Sequence, residues 1–289
     1  ARLVIQYRPG TGFALALFPQ GAQGFPLFAS ATIIVAGFAL LGIVLAGSTQ
    51  ALAAVTVLGL LAIYIMINPS KASYSMAPTM VVCALGGYLT ARLFAGGAPR
   101  GRIRLAAALG LVLGLSVNFR LPNLFLCAGA LLFFALAFLS SRKFKIALRG
   151  FAFGAALLGG MAPTLIANAI NAGSPFATTY SSVDVVAPEL SLEIIRQYLT
   201  DMQFVLLALA VAAITYVLAA RSDSGVRRVA LVTAANIVVN LAFFLSHPIF
   251  TPYYIIPIAM LSLWSVSFAA LMKPAEATDE TLVGQPAGL

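Results

Sequence analysis

The chain has 289 residues, of which 61% are hydrophobic and only 9% are charged. Such a composition excludes a water-soluble globular protein and is typical of a polytopic α-helical membrane protein. The formal net charge of +9 does not indicate a nucleic-acid partner, because the basic residues form short clusters between apolar runs instead of one stripe. Cys83 and Cys127 lie within apolar runs without metal-ligand spacing, and we interpret them as packing residues.

Nine apolar runs follow one another along the chain. Eight have the length needed to cross about 30 Å of hydrocarbon, and one, at 105–119, is shorter. They lie near 26–46, 51–67, 77–96, 105–119, 121–140, 150–170, 202–220, 229–246 and 253–272. The sequence therefore predicts an all-α transmembrane bundle of about nine spans. We expect residues 1–273 to form a single domain and residues 274–289 a disordered tail.

The basic residues between the runs predict the orientation of the chain. If the nine spans alternate, one side receives Arg92, Arg100, Arg102, Arg104, Arg142, Lys143, Lys145, Arg149, Arg221, Arg227, Arg228 and Lys273. Cytoplasmic loops are enriched in lysine and arginine, so this side and the C-terminus are expected in the cytoplasm. The outer side then receives residues 1–25, the loop 68–76, the turn at Arg120 and Leu121, and the loops 172–200 and 246–252.

Arg120 stands out because it follows one apolar run and directly precedes the next. A charged side chain is expensive inside a membrane, so it belongs at a turn on the outer boundary. Two interpretations remain open. The guanidinium either extends to lipid headgroups, or it points into an outward-facing cavity where it binds a phosphate.

Three other outer segments carry candidate features. In the 172–200 loop, Leu192, Ile195 and Leu199 form an apolar stripe that predicts an amphipathic helix lying in the membrane interface. The segment YRPGTG at 7–12 predicts a rigid turn that leads into a short helix. His247, in SHPIFTPYY, cannot form a metal site alone, and a structural turn is favoured over a cavity-lining role.

Two pairs of glycines, Gly110 with Gly114 and Gly150 with Gly154, have the spacing that allows close packing of membrane helices. The sequence contains no phosphate-binding loop, dinucleotide fingerprint, HExxH zinc motif or nucleophile elbow. No convincing inverted pair of broken helices is present, which disfavours a transporter.

Taken in order, five segments resemble the GT-C superfamily of membrane glycosyltransferases, near the protein O-mannosyltransferase and aminoarabinose-lipid A transferase branch. The similar segments are QYRPGTGFALAL, YSMAPTMVVCAL, GLVLGLSVNFRLPNLFLCAGALLFF, NAINAGSPFATTY and FTPYYIIPIAML. The third is similar to a helical hairpin with an Arg-Pro or Arg-x-Pro turn and is the strongest match. Together the segments extend from Tyr7 to Leu271.

The resemblance implies transfer of a sugar from a polyprenyl-phosphate carrier to a lipid, glycan or protein acceptor on the periplasmic face of a bacterial inner membrane. Membrane lipids, the lipid-linked sugar and other subunits of a membrane complex are the expected partners, and a divalent metal is left open. The candidate substrate-binding residues are Tyr7, Arg8, Arg120, Asn123, Tyr180, His247, Tyr253 and Tyr254.

The chain also departs from this family. The family's catalytic acid lies before the Y-P-P-G segment, whereas here no Asp or Glu precedes Asp184. Arg8 replaces a proline, and Tyr253 stands where arginine is common. Either an N-terminal span and acidic loop are absent from this chain, or catalysis has been lost. A non-catalytic scaffold subunit of a larger complex is therefore the main alternative, and a lipid or small-solute transporter is the second.

Overall fold

The computed structural model describes residues 9–68, 73–96, 101–177, 189–220, 223–247 and 250–272, and these ranges contain helices but no strand. The α-helices are α1 Pro9–Ala16, α2 Gly24–Leu45, α3 Thr49–Ile67, α4 Met76–Phe94, α5 Arg102–Val117, α6 Ala128–Ser141, α7 Phe144–Ala172, α8 Leu192–Thr200, α9 Phe204–Ala219, α10 Ser224–Ser246 and α11 Ile255–Leu271. Two 3₁₀ segments, Leu121–Cys127 and Pro252–Tyr254, lead into α6 and α11.

The predicted all-helical membrane bundle is confirmed, and each of the nine apolar runs is helical. By length and composition, six helices of the described chain are able to cross a membrane, or seven if α8 and α9 form one broken span. The helices α5, α9 and α11 have only 16, 16 and 17 residues. Nine complete crossings therefore stay a prediction.

Helix α4 lies at the centre of the bundle, whereas α2 lies at its periphery. In α4, 72% of the membrane-length window is buried within the protein, compared with 22% in α2. The close packing of α4 against α11 depends on Gly87, where a Cβ atom would collide with Trp264. Apolar side chains on α2, such as Ile33 and Val44, are exposed because in a membrane they face lipid tails.

The backbones of α5 and α7 come into close contact, and this contact depends on Gly110 and Gly114. An added Cβ atom at either glycine would collide with carbonyl oxygens of α7. The predicted packing role of these two glycines is confirmed. The expectation is wrong for Gly154, which faces open space, because that side of α7 turns away from its neighbours.

The bundle has two chemically different ends. One, the basic end, contains the C-termini of α4 and α6 and the N-termini of α5, α7 and α10. It carries Arg92, Arg102, Arg104, Arg142, Lys143, Lys145, Arg149, Arg227 and Arg228. The opposite end, the Arg120 end, contains the start of α4, the turn after α5 and the start of α11. Arg100, Arg221 and Lys273 lie outside the described residues.

Helix α8 is amphipathic and makes an angle of 84° with α9, consistent with the predicted interfacial helix. The face that it buries in the protein is formed by two other residues. Ile194 and Tyr198 are buried, whereas Leu192 is 85% exposed and Leu199 is 55% exposed. Tyr198 packs edge-on against Phe250, with ring centres 4.8 Å apart, and this contact sets the face that α8 turns toward the protein. The membrane-facing stripe of Leu192, Ile195 and Leu199 stays a prediction.

Candidate functional site

Arg120 lies in the sharp reversal between α5 and the 3₁₀ segment Leu121–Cys127. Its backbone is extended, with φ −149° and ψ 125°, and Pro122 follows near the start of the next segment. The Arg120 amide donates to the carbonyl of Ser116 at 3.2 Å, and its own carbonyl accepts from the amide of Asn123 at 3.1 Å. The backbone at Arg120 is therefore hydrogen-bonded through both its amide and its carbonyl, which fixes the point from which the side chain extends.

The Arg120 side chain lines a cavity of about 380 Å³ at this end of the bundle, which we call the Arg120 cavity. Helix α1, the residues preceding α4, the reversal after α5 and the residues preceding α11 all contribute to its wall. The lining residues are Thr11, Ser73, Tyr74, Ser75, Phe119, Arg120, Leu121, Pro122, Tyr253 and Tyr254. Most of their polar groups are hydroxyls, and Arg120 is the charged residue among them.

Within this cavity the guanidinium lies against two tyrosine rings. The guanidinium carbon is 4.8 Å from the ring centre of Tyr253 and 5.5 Å from that of Tyr254, which are cation–π distances. The Nη1 atom is buried and has no hydrogen-bond partner among the described residues. A buried guanidinium N–H without an acceptor is costly, so this atom is suited to bind an anionic oxygen.

Burial is the main influence on the pKa of Arg120 and lowers it from the usual value, while Tyr254 and Tyr253 act in the opposite direction. Arginine nevertheless keeps its charge at neutral pH. Of the two interpretations left open by the sequence, the geometry favours the cavity over extension to lipid headgroups.

Asn118, two residues before Arg120, braces the reversal, and no sequence pattern singles it out. It is buried, and its amide nitrogen donates to the carbonyl of Gly160 at 2.8 Å. Its Oδ1 atom accepts from the backbone amide and the hydroxyl of Thr164 at 2.9 and 2.8 Å. In a regular α-helix Gly160 and Thr164 are hydrogen-bonding partners, so Asn118 ties the reversal into the backbone of α7 next to Pro163.

The same asparagine anchors α1. The Gly10 amide donates to the Asn118 carbonyl at 2.9 Å, and an added Cβ atom at Gly10 would lie 2.6 Å from both the Cβ and the carbonyl oxygen of Asn118. This contact brings Thr11 to the cavity wall. The predicted turn is wrong for residues 9–12, because these residues form the first turn of α1, where a proline at the first position favours helix formation.

Replacing Gly10 with alanine is expected to weaken the attachment of α1. The new methyl group must displace Asn118, and overpacking of this kind costs about 1 to 3 kcal/mol. The matched control is Gly12→Ala in the same helix, because a Cβ atom there meets open space. Hydrogen–deuterium exchange of residues 9–16 should increase in Gly10→Ala and stay at or below the wild-type level in Gly12→Ala. Equal exchange in both variants would contradict the anchoring role of Gly10.

The structure brings together only part of the predicted site. Arg120, Tyr253 and Tyr254 share the cavity. Tyr7, Arg8 and Tyr180 lie outside the described residues.

Asn123 and His247 have other surroundings. Asn123 is buried, and its amide donates to the carbonyl of Ser116 at 3.0 Å, so it braces the reversal instead of lining the cavity. The His247 ring is 5.9 Å from the ring of Phe243 and is also not part of the cavity wall. The turn interpretation of His247 is consistent with its position after the end of α10.

An apolar groove of about 340 Å³ adjoins the cavity. It runs between α1, α2, α4 and α5, and its wall is lined by side chains such as Leu27, Val81 and Leu115. Phe119 lines both the groove and the Arg120 cavity. The apolar groove and the polar cavity therefore share one wall residue and lie next to each other.

These features define a multi-pass α-helical membrane protein with an arginine-lined cavity beside an apolar groove. No family model, no curated protein and no solved structure matches the chain. Within the ranges given above, no group of three or more His, Cys, Asp or Glu side chains is placed to hold a metal ion.

Proposed function

We propose that the Arg120 cavity binds the phosphate of a polyprenyl-phosphate sugar, and that the protein transfers this sugar to a lipid, glycan or protein acceptor. By the positive-inside rule, the Arg120 end faces outward from a bacterial inner membrane and the C-terminus is cytoplasmic. The observation that carries the proposal is that Arg120 lines a cavity beside an apolar groove, while its buried Nη1 atom has no hydrogen-bond partner among the described residues.

The shape of the site supports this donor class. A polyprenyl phosphate has an anionic head and a long hydrocarbon chain. The planar guanidinium of Arg120 matches the oxygen geometry of a phosphate. The groove between α1, α2, α4 and α5 offers apolar surface to the chain, and the Leu17 side chain beside it is 81% exposed, which is expected for a groove that opens to lipid.

The cavity supplies one part of the chemistry of transfer. When the bond between the sugar and the phosphate breaks, negative charge develops on the departing phosphate, and a fixed guanidinium stabilises that charge. In this proposal the hydroxyl-bearing residues of the cavity wall, Tyr253, Tyr254, Ser73 and Ser75, orient sugar hydroxyls. A general base for the acceptor is also needed, and the described lining residues include no carboxylate or histidine.

The composition of the cavity wall favours a second candidate function. With an arginine and hydroxyl groups but no described acid or histidine, the cavity is equipped to bind a lipid-linked donor without transferring its sugar. In that role the chain is a non-catalytic, donor-binding subunit of a larger membrane complex.

Proteoliposomes containing the full chain distinguish the two functions. They are supplied with a polyprenyl phosphate that carries a radiolabelled sugar and with lipid and peptide acceptors. The proposed activity predicts that label leaves the polyprenyl fraction and enters an acceptor. Donor that co-purifies with the protein but keeps its label identifies the binding subunit. Absence of donor binding contradicts both.

A further inference from the structure

A second cavity, of about 740 Å³, opens at the basic end and plays no part in the proposed function. We call it the basic cavity. The helices α4 and α5 each have one end at this cavity and the other end at the Arg120 cavity, so the two sites lie at opposite ends of the bundle. The basic cavity is lined by Leu93, Phe94, Arg102, Phe133, Phe134, Ala137, Lys143, Phe144, Lys145, Ile146, Arg149 and Arg228.

Three half-buried arginines from three different helices converge on this cavity. Arg102 begins α5, Arg149 lies in the second turn of α7, and Arg228 lies in the second turn of α10. Lys143 and Lys145 stand at the exposed rim. No acidic residue is present among these lining side chains. Five positively charged side chains therefore line the cavity without a carboxylate between them.

The arginines are only partly hydrogen-bonded within the protein. Arg102 donates from Nη2 to the carbonyl of Gly96 at 3.1 Å, but its Nε atom is buried and unpartnered in the described structure. Arg228 donates from Nε to the carbonyl of Ser224 at 3.2 Å. Burial and, after it, the charges of Arg149 and Arg228 lower the pKa of Arg102. Mutual repulsion of this kind is relieved by a bound anion.

The carboxylate of Asp223 lies at the same end of α10, but it already has local partners. Its Oδ1 atom accepts from the amide of Gly225 at 2.6 Å and from the hydroxyl of Ser224 at 3.3 Å. It therefore caps α10 and does not belong to the wall of the cavity. Among the described residues, no carboxylate therefore neutralises the basic cavity.

The remaining wall of the basic cavity is apolar and continuous with the lipid-facing surface. Phe94 packs edge-on against Phe133, with ring centres 4.9 Å apart, and contacts Phe134 at 5.7 Å. Phe144 lines the cavity and is 76% exposed, and Phe151, two turns further along α7, is 73% exposed. A site with basic groups at one side and lipid-facing aromatic side chains at the other suits an amphiphile better than a free ion.

We propose that the basic cavity binds the headgroup phosphate of an anionic glycerophospholipid, with the three arginines at the phosphate and the acyl chains along α6 and α7. Clusters of basic residues at the ends of membrane helices attract anionic headgroups, and arginine adds directed hydrogen bonds. The site binds membrane lipid and is separate from the donor site at the Arg120 end.

The test uses the full chain in a neutral detergent and measures bound lipid by native mass spectrometry. The probes are phosphatidylglycerol and phosphatidylcholine with identical acyl chains, and inorganic phosphate serves as a competitor. The test variant is Arg102→Gln with Arg228→Gln. The matched control is Arg104→Gln with Arg227→Gln, which removes the same charge from the same two helices at exposed positions outside the cavity wall.

The wild-type protein is expected to bind phosphatidylglycerol at least about tenfold more tightly than phosphatidylcholine, and the test variant should lose this preference, whereas the control should keep it. If the test variant fails to fold, Arg149→Gln replaces it and should reduce the preference. Equal affinity for the two lipids, or an equal loss in both double variants, would overturn the proposal. Displacement of the lipid by millimolar inorganic phosphate would assign the cavity to a free anion and also overturn it.

Discussion

Replacing Arg120 by alanine is expected to reduce the affinity for a polyprenyl phosphate by about tenfold to a hundredfold, because a charge-assisted hydrogen bond in a desolvated site is lost. Arg120→Lys should recover part of the affinity. Lysine keeps the charge but lacks the planar donor pair and the stacking against Tyr253 and Tyr254.

Affinity is measured by titrating the purified full chain with a tritiated short-chain polyprenyl phosphate. The control is Arg196→Ala, which removes an exposed arginine from α8 and should leave the affinity within about twofold. If Arg120→Ala folds normally and binds the probe as tightly as the wild type does, the role assigned to Arg120 is wrong.

Replacing Asn118 by leucine should produce the largest loss of stability of any substitution at the site. The leucine side chain leaves the carbonyl of Gly160 and the amide and hydroxyl of Thr164 without their partner in a buried position. Unsatisfied buried groups cost about 1 to 3 kcal/mol each, and partial rearrangement limits the total to about 2 to 4 kcal/mol. Because the same residue holds α1, the wall of the Arg120 cavity should loosen as well.

The free energy of unfolding is measured by titration with a denaturing detergent in mixed micelles. Asn171→Leu is the matched control. Its amide donates to the carbonyl of Ala167, one turn earlier in the same helix, and links no other element through that bond. A loss for Asn118→Leu no greater than the loss for Asn171→Leu would show that Asn118 is not the tie between α1, α5 and α7.

Most of the fold is predictable from the sequence, because a membrane demands long apolar helices and leaves few other solutions. Positions of runs such as 51–67 and 229–246 agree with α3 and α10 to within a few residues. Which face of α8 packs against the rest of the protein is not predictable from the apolar pattern. In a helix of nine residues the inward side depends on its neighbours, here the contact of Tyr198 with Phe250.

The candidate site is predictable in its charged and aromatic parts. A lone arginine between two apolar runs predicts a turn at the membrane boundary. Aromatic residues before the last span are expected near the same outer boundary. The roles of Asn118 and Gly10 depend on a three-dimensional contact between α1, α5 and α7 that no local pattern encodes. From the sequence alone, the arginines of the basic cavity indicate only the orientation of the chain, since their convergence depends on the helix packing.

In the proposed function, the Arg120 cavity holds the phosphate of a polyprenyl-linked donor. A structure of the full chain with a bound short-chain polyprenyl phosphate tests it most directly. We expect phosphate oxygens within hydrogen-bond distance of the Arg120 guanidinium and the isoprenoid chain in the groove beside Phe119. Density for the lipid that leaves Arg120 without a phosphate contact would contradict the account.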